Sequence, residues 1–287
     1  VMRLEHPRHR VTTAECALGP QSAGAARQLI SEVGRRGTAE VELVWGSALE
    51  RFAARLRPSN AARVLTGRKR PTSAPGCIGT ALITGGLGGL GLRAASLVGM
   101  GAAEVVLSSR TGHVTRLGQG LDATLSALLR SSAVRVVRAD VSDGADTRCL
   151  GMGMGAPPSL VLHAAGCIRD VLLRSLSVAD FECACSLAPT FPYTPTPIPS
   201  LTTHPRCRLR APPCSPRRVL APKAHAAAHL HSSLAMASLR ALVLFSSATA
   251  ALGAAGQANY SVANAYLDSL AQSRRSAACI GCSLQIP

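Results

Sequence analysis

The fold is decided by Ala81-Leu82-Ile83-Thr84-Gly85-Gly86-Leu87-Gly88-Gly89-Leu90-Gly91. The apolar run Cys77 to Thr84 predicts a strand, and Leu90 to Gly99 predicts a helix. Between them two glycine patterns overlap. One is Gly86-x-Gly88-x-x-Gly91; the other is Thr84-Gly85-x-x-x-Gly89-x-Gly91. Glycines there permit a tight turn and a close backbone approach to a pyrophosphate. The helix N-terminus adds free amides and the positive end of its dipole. Without the flanking strand and helix such a run would mark only a turn; with them it reads as a dinucleotide site.

Outward from this unit, strand and helix alternate. Glu104 to Ser108, Val134 to Arg138 and Ser159 to His163 predict strands. Leu121 to Arg130 and Ser177 to Cys185 predict helices. After a break, Leu220 to Leu239 predicts a helix that tolerates Pro222 near its start. Arg240 to Phe245 is then a strand, Gln257 to Arg275 a long helix, and Ala278 to Ile286 a further strand. Such alternation predicts an α/β fold, a Rossmann-type doubly wound parallel sheet. Residues 1–70 differ in texture. Ser22 to Gly34 predicts a short helix, Val41 to Trp45 a strand, and Leu49 to Leu56 a strand or helix. Residues 71–76 form a Pro/Ser/Gly linker.

The break spans Ser186 to Arg218. It holds nine of the 18 prolines, five arginines and no acidic residue. Proline removes backbone donors and blocks helix interiors, so this stretch predicts an extended, solvated insertion without order. Its removal joins Cys185 to Val219; a retained non-coding segment would leave this trace, and a true loop is the rival reading. The opening Val1-Met2 predicts a piece of a longer chain.

Composition closes other routes. The 287 residues suffice for a real core, 47% are hydrophobic, and only 16% are charged. No apolar stretch reaches membrane-spanning length, and the polar, basic start carries no secretory signal, so a cytoplasmic setting is expected. Ten scattered cysteines, including Cys183/Cys185 and Cys279/Cys282, complete no metal set and read as thiols. The net charge is +16, yet aromatics are 3% and the arginines are spread along the chain. A nucleic-acid surface would cluster the arginines and interleave aromatics among them, so no nucleic-acid partner is expected.

The second strand ends in Ser108-Ser109-Arg110. An NAD-specific fold places an acid there for the ribose hydroxyls. An arginine with hydroxyl neighbours suits a 2′-phosphate instead, which favours NADP. Asp140-Val141 and His163-Ala164-Ala165 follow the third and fourth strands, where adenine and the middle of the cofactor would lie. Read alone, Asp140 is equally a helix cap and His163 a core histidine.

Ser246-Ser247 ends a strand, Tyr260 follows Ser247 by 13 residues, and Asn264 lies four beyond. Positions i and i+4 share a helix face, so Tyr260 and Asn264 point the same way. Lys69 and Lys223 are the only lysines. One compact cation in a chain that otherwise uses arginine is informative beside a tyrosine, because it favours the phenolate.

These residues carry a resemblance. Together with Leu107-Ser108-Ser109-Arg110, Val161-Leu162-His163-Ala164-Ala165-Gly166, Ala221-Pro222-Lys223, Phe245-Ser246-Ser247 and Gly256 to Asp268, the glycine stretch resembles the ketoreductase domain of modular polyketide synthases and animal-type fatty acid synthases. That domain belongs to the short-chain dehydrogenase/reductase superfamily. Simple members carry Tyr-x-x-x-Lys; these ketoreductases take the lysine from the preceding helix and place asparagine after the tyrosine, as here. The resemblance implies an NADP-binding catalytic domain over 77–287 and a partial non-catalytic structural subdomain over 1–70.

It also implies NADPH as cofactor, bound by Thr84, Gly85, Gly86, Leu87, Gly88, Gly89, Leu90, Gly91, Ser109, Arg110, Asp140, Val141, His163, Ala164, Ala165, Lys223 and Tyr260. Tyr260 would donate the proton, Ser247 would bind the carbonyl, and Lys223 would lower the tyrosine pKa and hold the ribose. Asn264 would position a relay water. The implied reaction turns a β-ketoacyl thioester on an acyl carrier protein into the β-hydroxyacyl thioester, beside neighbouring domains of a multienzyme. A catalytically inactive nucleotide-binding remnant is the competing reading. The family continues beyond Pro287 into its last strands and a lid. Ile168-Arg169-Asp170 and Leu252 stand where the two stereochemical fingerprints would be, so no product handedness is implied.

Overall fold

The computed structural model describes residues 78–116, 118–131, 133–176, 217–235 and 237–287, together with the short strands 13–16, 42–45 and 51–53. The chain divides into two compact units, Met2–Thr72 and Ser73–Pro287. In the first, β1 (Thr13–Cys16) pairs parallel with β2 (Glu42–Trp45), and β2 antiparallel with β3 (Arg51–Ala53). The strand expected at Val41 to Trp45 is present, and Leu49 to Leu56 resolves to a strand. The helices expected at Ser22 to Gly34 and Ser177 to Cys185 lie outside the described residues, as does most of the insertion.

The larger unit is built on six parallel strands. These are β4 (Ile78–Thr84), β5 (Ala102–Ser109), β6 (Val134–Arg138), β7 (Leu160–His163), β8 (Ala241–Ser247) and β9 (Cys282–Ile286). Their order in the sheet is β6-β5-β4-β7-β8-β9. Strands are added outward from β4 in one half and from β7 in the other. The direction of winding therefore reverses between β4 and β7, where open α/β sheets bind ligands.

Alternation along the strands explains the two faces. Ala81, Ile83, Val105 and Leu107 pack with Leu92 and Ala95 of α1 (Gly89–Val98) and Leu128 of α2 (Leu121–Ser131). Leu82, Val106, Val161, Leu242 and Leu244 face the other way. They meet Leu150 of α3 (Gly144–Met152), Leu230 of α5 (Ala226–Ser233) and Leu267 of α7 (Ala258–Ser276). Both faces of the sheet are covered, so these strands read as apolar runs.

Three local expectations change. The helix α3 has no counterpart in the sequence reading; Gly144, Gly151 and Gly153 dilute its pattern, and it buries only Thr147 and Leu150. The helix expected to run to Leu239 stops at Ser233, because the chain must cross to β8 while Leu234 and Leu239 fill the core. The helical run also starts early, with α4 (Arg217–Leu220) beginning in the last two residues of the expected insertion. Pro222 lies near the start of the run, as expected, at the second position of a π-turn, Ala221–His225. A wider turn accommodates a residue that has no N–H to give. A short helix, α6 (Thr249–Leu252), leads from β8 toward α7. Among the described residues no helix is long and apolar enough to cross a membrane.

Candidate active site

Thr84 and His163 end neighbouring strands and face each other in register at the point where winding reverses. The glycine turn leaves β4 there. Gly85 has φ +68°, and a Cβ on it would stand 2.6 Å from the Ala165 backbone. A Cβ on Gly86 would meet the Ile83 carbonyl at 2.8 Å. One on Gly91 would strike the Gly85 carbonyl and stand 2.7 Å from Gly86 Cα. Gly89 has nothing within 4 Å. Three glycines are thus fixed by packing, and they bring α1 down onto the turn. The N-cap of α1, Gly88, has no side-chain bond to the first-turn amides. A bare helix N-terminus over a backbone cradle fits a pyrophosphate. At the end of β5, Ser109 Oγ accepts from the Gly112 amide at 3.0 Å, and Arg110 is exposed with no acid in Ser108-Ser109-Arg110. Ser108 Oγ is buried without a hydrogen-bond partner. These residues fit a nicotinamide dinucleotide cofactor.

The second half of the sheet supplies the reactive groups. Lys223 is 5% exposed. Its ammonium donates to Asn264 Oδ1 at 2.8 Å and to the Phe245 carbonyl at 2.8 Å. Two of its three hydrogens are thereby used. The same ammonium lies 5.1 Å from the centroid of the Tyr260 ring, within cation–π range. Burial lowers the Lys223 pKa to about 8, against the pull of Asp268, which raises it. Asn264 Nδ2 donates to the Tyr260 carbonyl at 2.9 Å, and Ser246 Oγ to the Asn264 carbonyl at 3.2 Å. Tyr260, Asn264 and Lys223 therefore form one cluster at the carboxyl end of β8. Ser247 closes that strand, 5% exposed, its Oγ accepting from the Thr249 amide at 3.3 Å.

Several expected cofactor contacts turn inward. His163 is fully buried, with both ring nitrogens within hydrogen-bond distance of protein atoms. Thr84 is fully buried, and Leu87 and Val141 lie in the core. The ring of His163 is therefore not a group that reaches into the crevice. Asp140 Oδ1 accepts from the Ser142 amide and hydroxyl at 3.0 and 2.6 Å, shaping the turn into α3. Ala164 and Ala165 are partly buried, and the Ala164 amide donates to the Thr84 carbonyl at 2.9 Å.

Other positions matter more than spacing suggested. Gly166 lets the lysine pass: a Cβ there would stand 2.9 Å from Lys223 Cε. The loop after β7 is tied to the start of α7 by Asn259 Nδ2 to the Arg169 carbonyl, Gln257 Nε2 to Asp170 Oδ1, and the Val171 amide to the Gly256 carbonyl. These bonds join residues nearly ninety positions apart, which local pattern cannot reveal.

A glycine-cradled switch point with a Tyr–Lys–Asn cluster beside it matches the short-chain dehydrogenase/reductase class. The family profile named KR domain matches residues 79–187 and 214–287. The chain is 34% identical over 234 residues to a 6-methylsalicylic acid synthase of Arthrobotrys oligospora, covering 77% of this chain and 11% of that protein. It is 39% identical over 200 residues to polyketide synthase GfsA of Streptomyces halstedii, covering 68% of this chain and 2% of that protein. Among solved structures, the ketoreductase PlmKR1 from the first module of phoslactomycin biosynthesis in Streptomyces sp. HK803 superimposes with a TM-score of 0.74 at 27% identity. That match covers 99% of this chain and 55% of PlmKR1. The chain belongs to the KR family, the ketoreductase domains of polyketide synthases. It spans a small part of these large multidomain relatives and about half of the solved ketoreductase chain.

Proposed function

We propose that the chain reduces a β-ketoacyl thioester, presented on an acyl carrier protein, to the β-hydroxyacyl thioester, with NADPH as the cofactor. The observation that carries this reading is the ammonium of Lys223, held between Asn264 and Phe245 and 5.1 Å from the Tyr260 ring. When bound, NADPH supplies the hydride. Every remaining task falls to this chain. Ser247 and Tyr260 offer hydroxyl hydrogens to the substrate oxygen, where negative charge develops. Tyr260 hands over its proton as general acid. Lys223 favours the phenolate left behind, and its third hydrogen is free for the nicotinamide ribose. Asn264 keeps the lysine in place, and we assign to it the relay water that restores the tyrosine proton. Arg110 meets the 2′-phosphate.

Residues 77–287 form the catalytic domain in this reading and 1–70 part of the structural subdomain. The arginine excess helps dock an acidic carrier protein, so carrier-linked turnover should fall as salt rises. The test of the reading is oxidation of NADPH by purified full-length chain with a small β-keto thioester. Turnover with NADPH well above NADH, narrowed by Arg110→Gln, is expected. Tight NADPH binding with no turnover would favour the inactive remnant.

A further inference from the structure

Lys223 is gripped at both ends. Its ammonium is bound as described, and its backbone carbonyl accepts a hydrogen bond from His163 Nε2 at 3.0 Å. A carbonyl only accepts, so Nε2 carries the proton. His163 Nδ1 lies 2.7 Å from Thr84 Oγ1. In a neutral ring Nδ1 is then the acceptor, and the Thr84 hydroxyl donates to it. Burial pushes the imidazole down to about 4, which keeps it neutral. Thr84, His163 and the Lys223 carbonyl thus form a directed chain from β4 through β7 to the π-turn.

That turn is the weak point of the helical run. Pro222 has no N–H to give, and the Ala226 amide reaches back to the Ala221 and Lys223 carbonyls. Single π-turns collect at functional sites. Here the turn sets where the lysine stem leaves the backbone, and the stem then runs past Gly166 to its partners.

We propose that His163 is a positioning residue for the reduction: as the Nε2–H tautomer, oriented by Thr84, it holds the Lys223 carbonyl, fixes the π-turn and so aims the ammonium at Tyr260 and Asn264. Both of its ring nitrogens are taken by protein partners. The kinetic part of this inference rests on the reductase reading; the geometric part does not.

The chain has only two lysines, so isotope labelling at lysine Cε gives one NMR signal for Lys69 and one for Lys223. In the wild type the Lys223 signal should titrate near pH 8. In His163→Phe it should titrate higher by about one unit, as the freed ammonium gains water. In the same variant kcat should drop about tenfold or more, with a smaller rise in KM for NADPH from the displaced ribose contact. His163→Gln, which keeps a side-chain donor, should recover most of both. A merely structural role would lower the melting temperature and leave the lysine titration in place. Should His163→Phe fail to fold, nitrogen NMR of the wild-type ring still decides, because it must show the neutral Nε2–H tautomer. An Nδ1–H ring, or an unmoved Lys223 titration in folded His163→Phe, overturns the proposal. The lysine and tautomer readouts need no turnover, so a silent NADPH assay would count against the reductase reading alone.

Discussion

Lys223 shows how chemistry selects single residues. The chain carries 31 basic side chains and only two are lysine. A guanidinium would be too broad, and too permanently charged, for the buried slot between Phe245, Asn264 and the Tyr260 ring. Lys223, Tyr260, Ser247 and Asn264 stood out in the sequence as candidates by type and spacing, and the structure brings Lys223, Tyr260 and Asn264 together. The inward turn of His163 was not, because a strand-end histidine reads the same whether its ring faces core or crevice. Its burial has a consequence for stability. An unfolded histidine takes a proton near pH 6.5, whereas the folded one resists until about 4. The unfolded state therefore binds more protons across that window, and stability falls as pH drops through it, by up to about 3 kcal/mol. Urea midpoints between pH 7 and 4.5 should show the fall, and His163→Gln should flatten it.

The glycine turn and the helices around it explain which elements were visible. The strand–turn–helix unit from β4 to α1 carried its own signature. The packing adds that its glycines are not equivalent. Gly91→Ala would drive a methyl into the Gly85–Gly86 backbone, and should cost about 1–3 kcal/mol and raise KM for NADPH. Gly89→Ala meets no protein atom within 4 Å, so its melting temperature should stay near that of the wild type. Thermal unfolding and initial rates of the two variants, side by side, check this. The helix α3 was invisible to periodicity because it buries so little, yet its start is well made. Asp143 accepts from the Ala145 and Asp146 amides at 2.7 and 3.2 Å. Asp143→Ala should lower stability by about 1 kcal/mol, read as a shifted denaturant midpoint with unchanged slope.

The whole molecule follows from strand order. Two halves of the sheet wind away from β4 and β7, so the glycine cradle and the Lys223 cluster meet at one carboxyl edge. Alternating apolar runs made that class of fold legible; the order of strands came only from the pairing. The KR family match passes over residues 188–213, within the proline- and arginine-rich stretch. We expect a chain lacking 188–213 to keep its melting temperature and its NADPH turnover, and a transcript uninterrupted across Ser186 to Arg218 would argue against a non-coding origin. The stretch Ser186 to Arg218 supplies five basic residues and no acid, so the net charge falls from +16 to +11 without it. The central claim is that Tyr260, supported by Lys223, protonates a reduced β-keto group. Its most direct test is a single-turnover reaction of the full chain with NADPH and a β-ketoacyl thioester on a carrier protein, run beside Tyr260→Phe and Lys223→Met. The account predicts β-hydroxyacyl product from the wild type and a loss of at least about a hundredfold in each variant. Equal rates in wild type and Tyr260→Phe would contradict it.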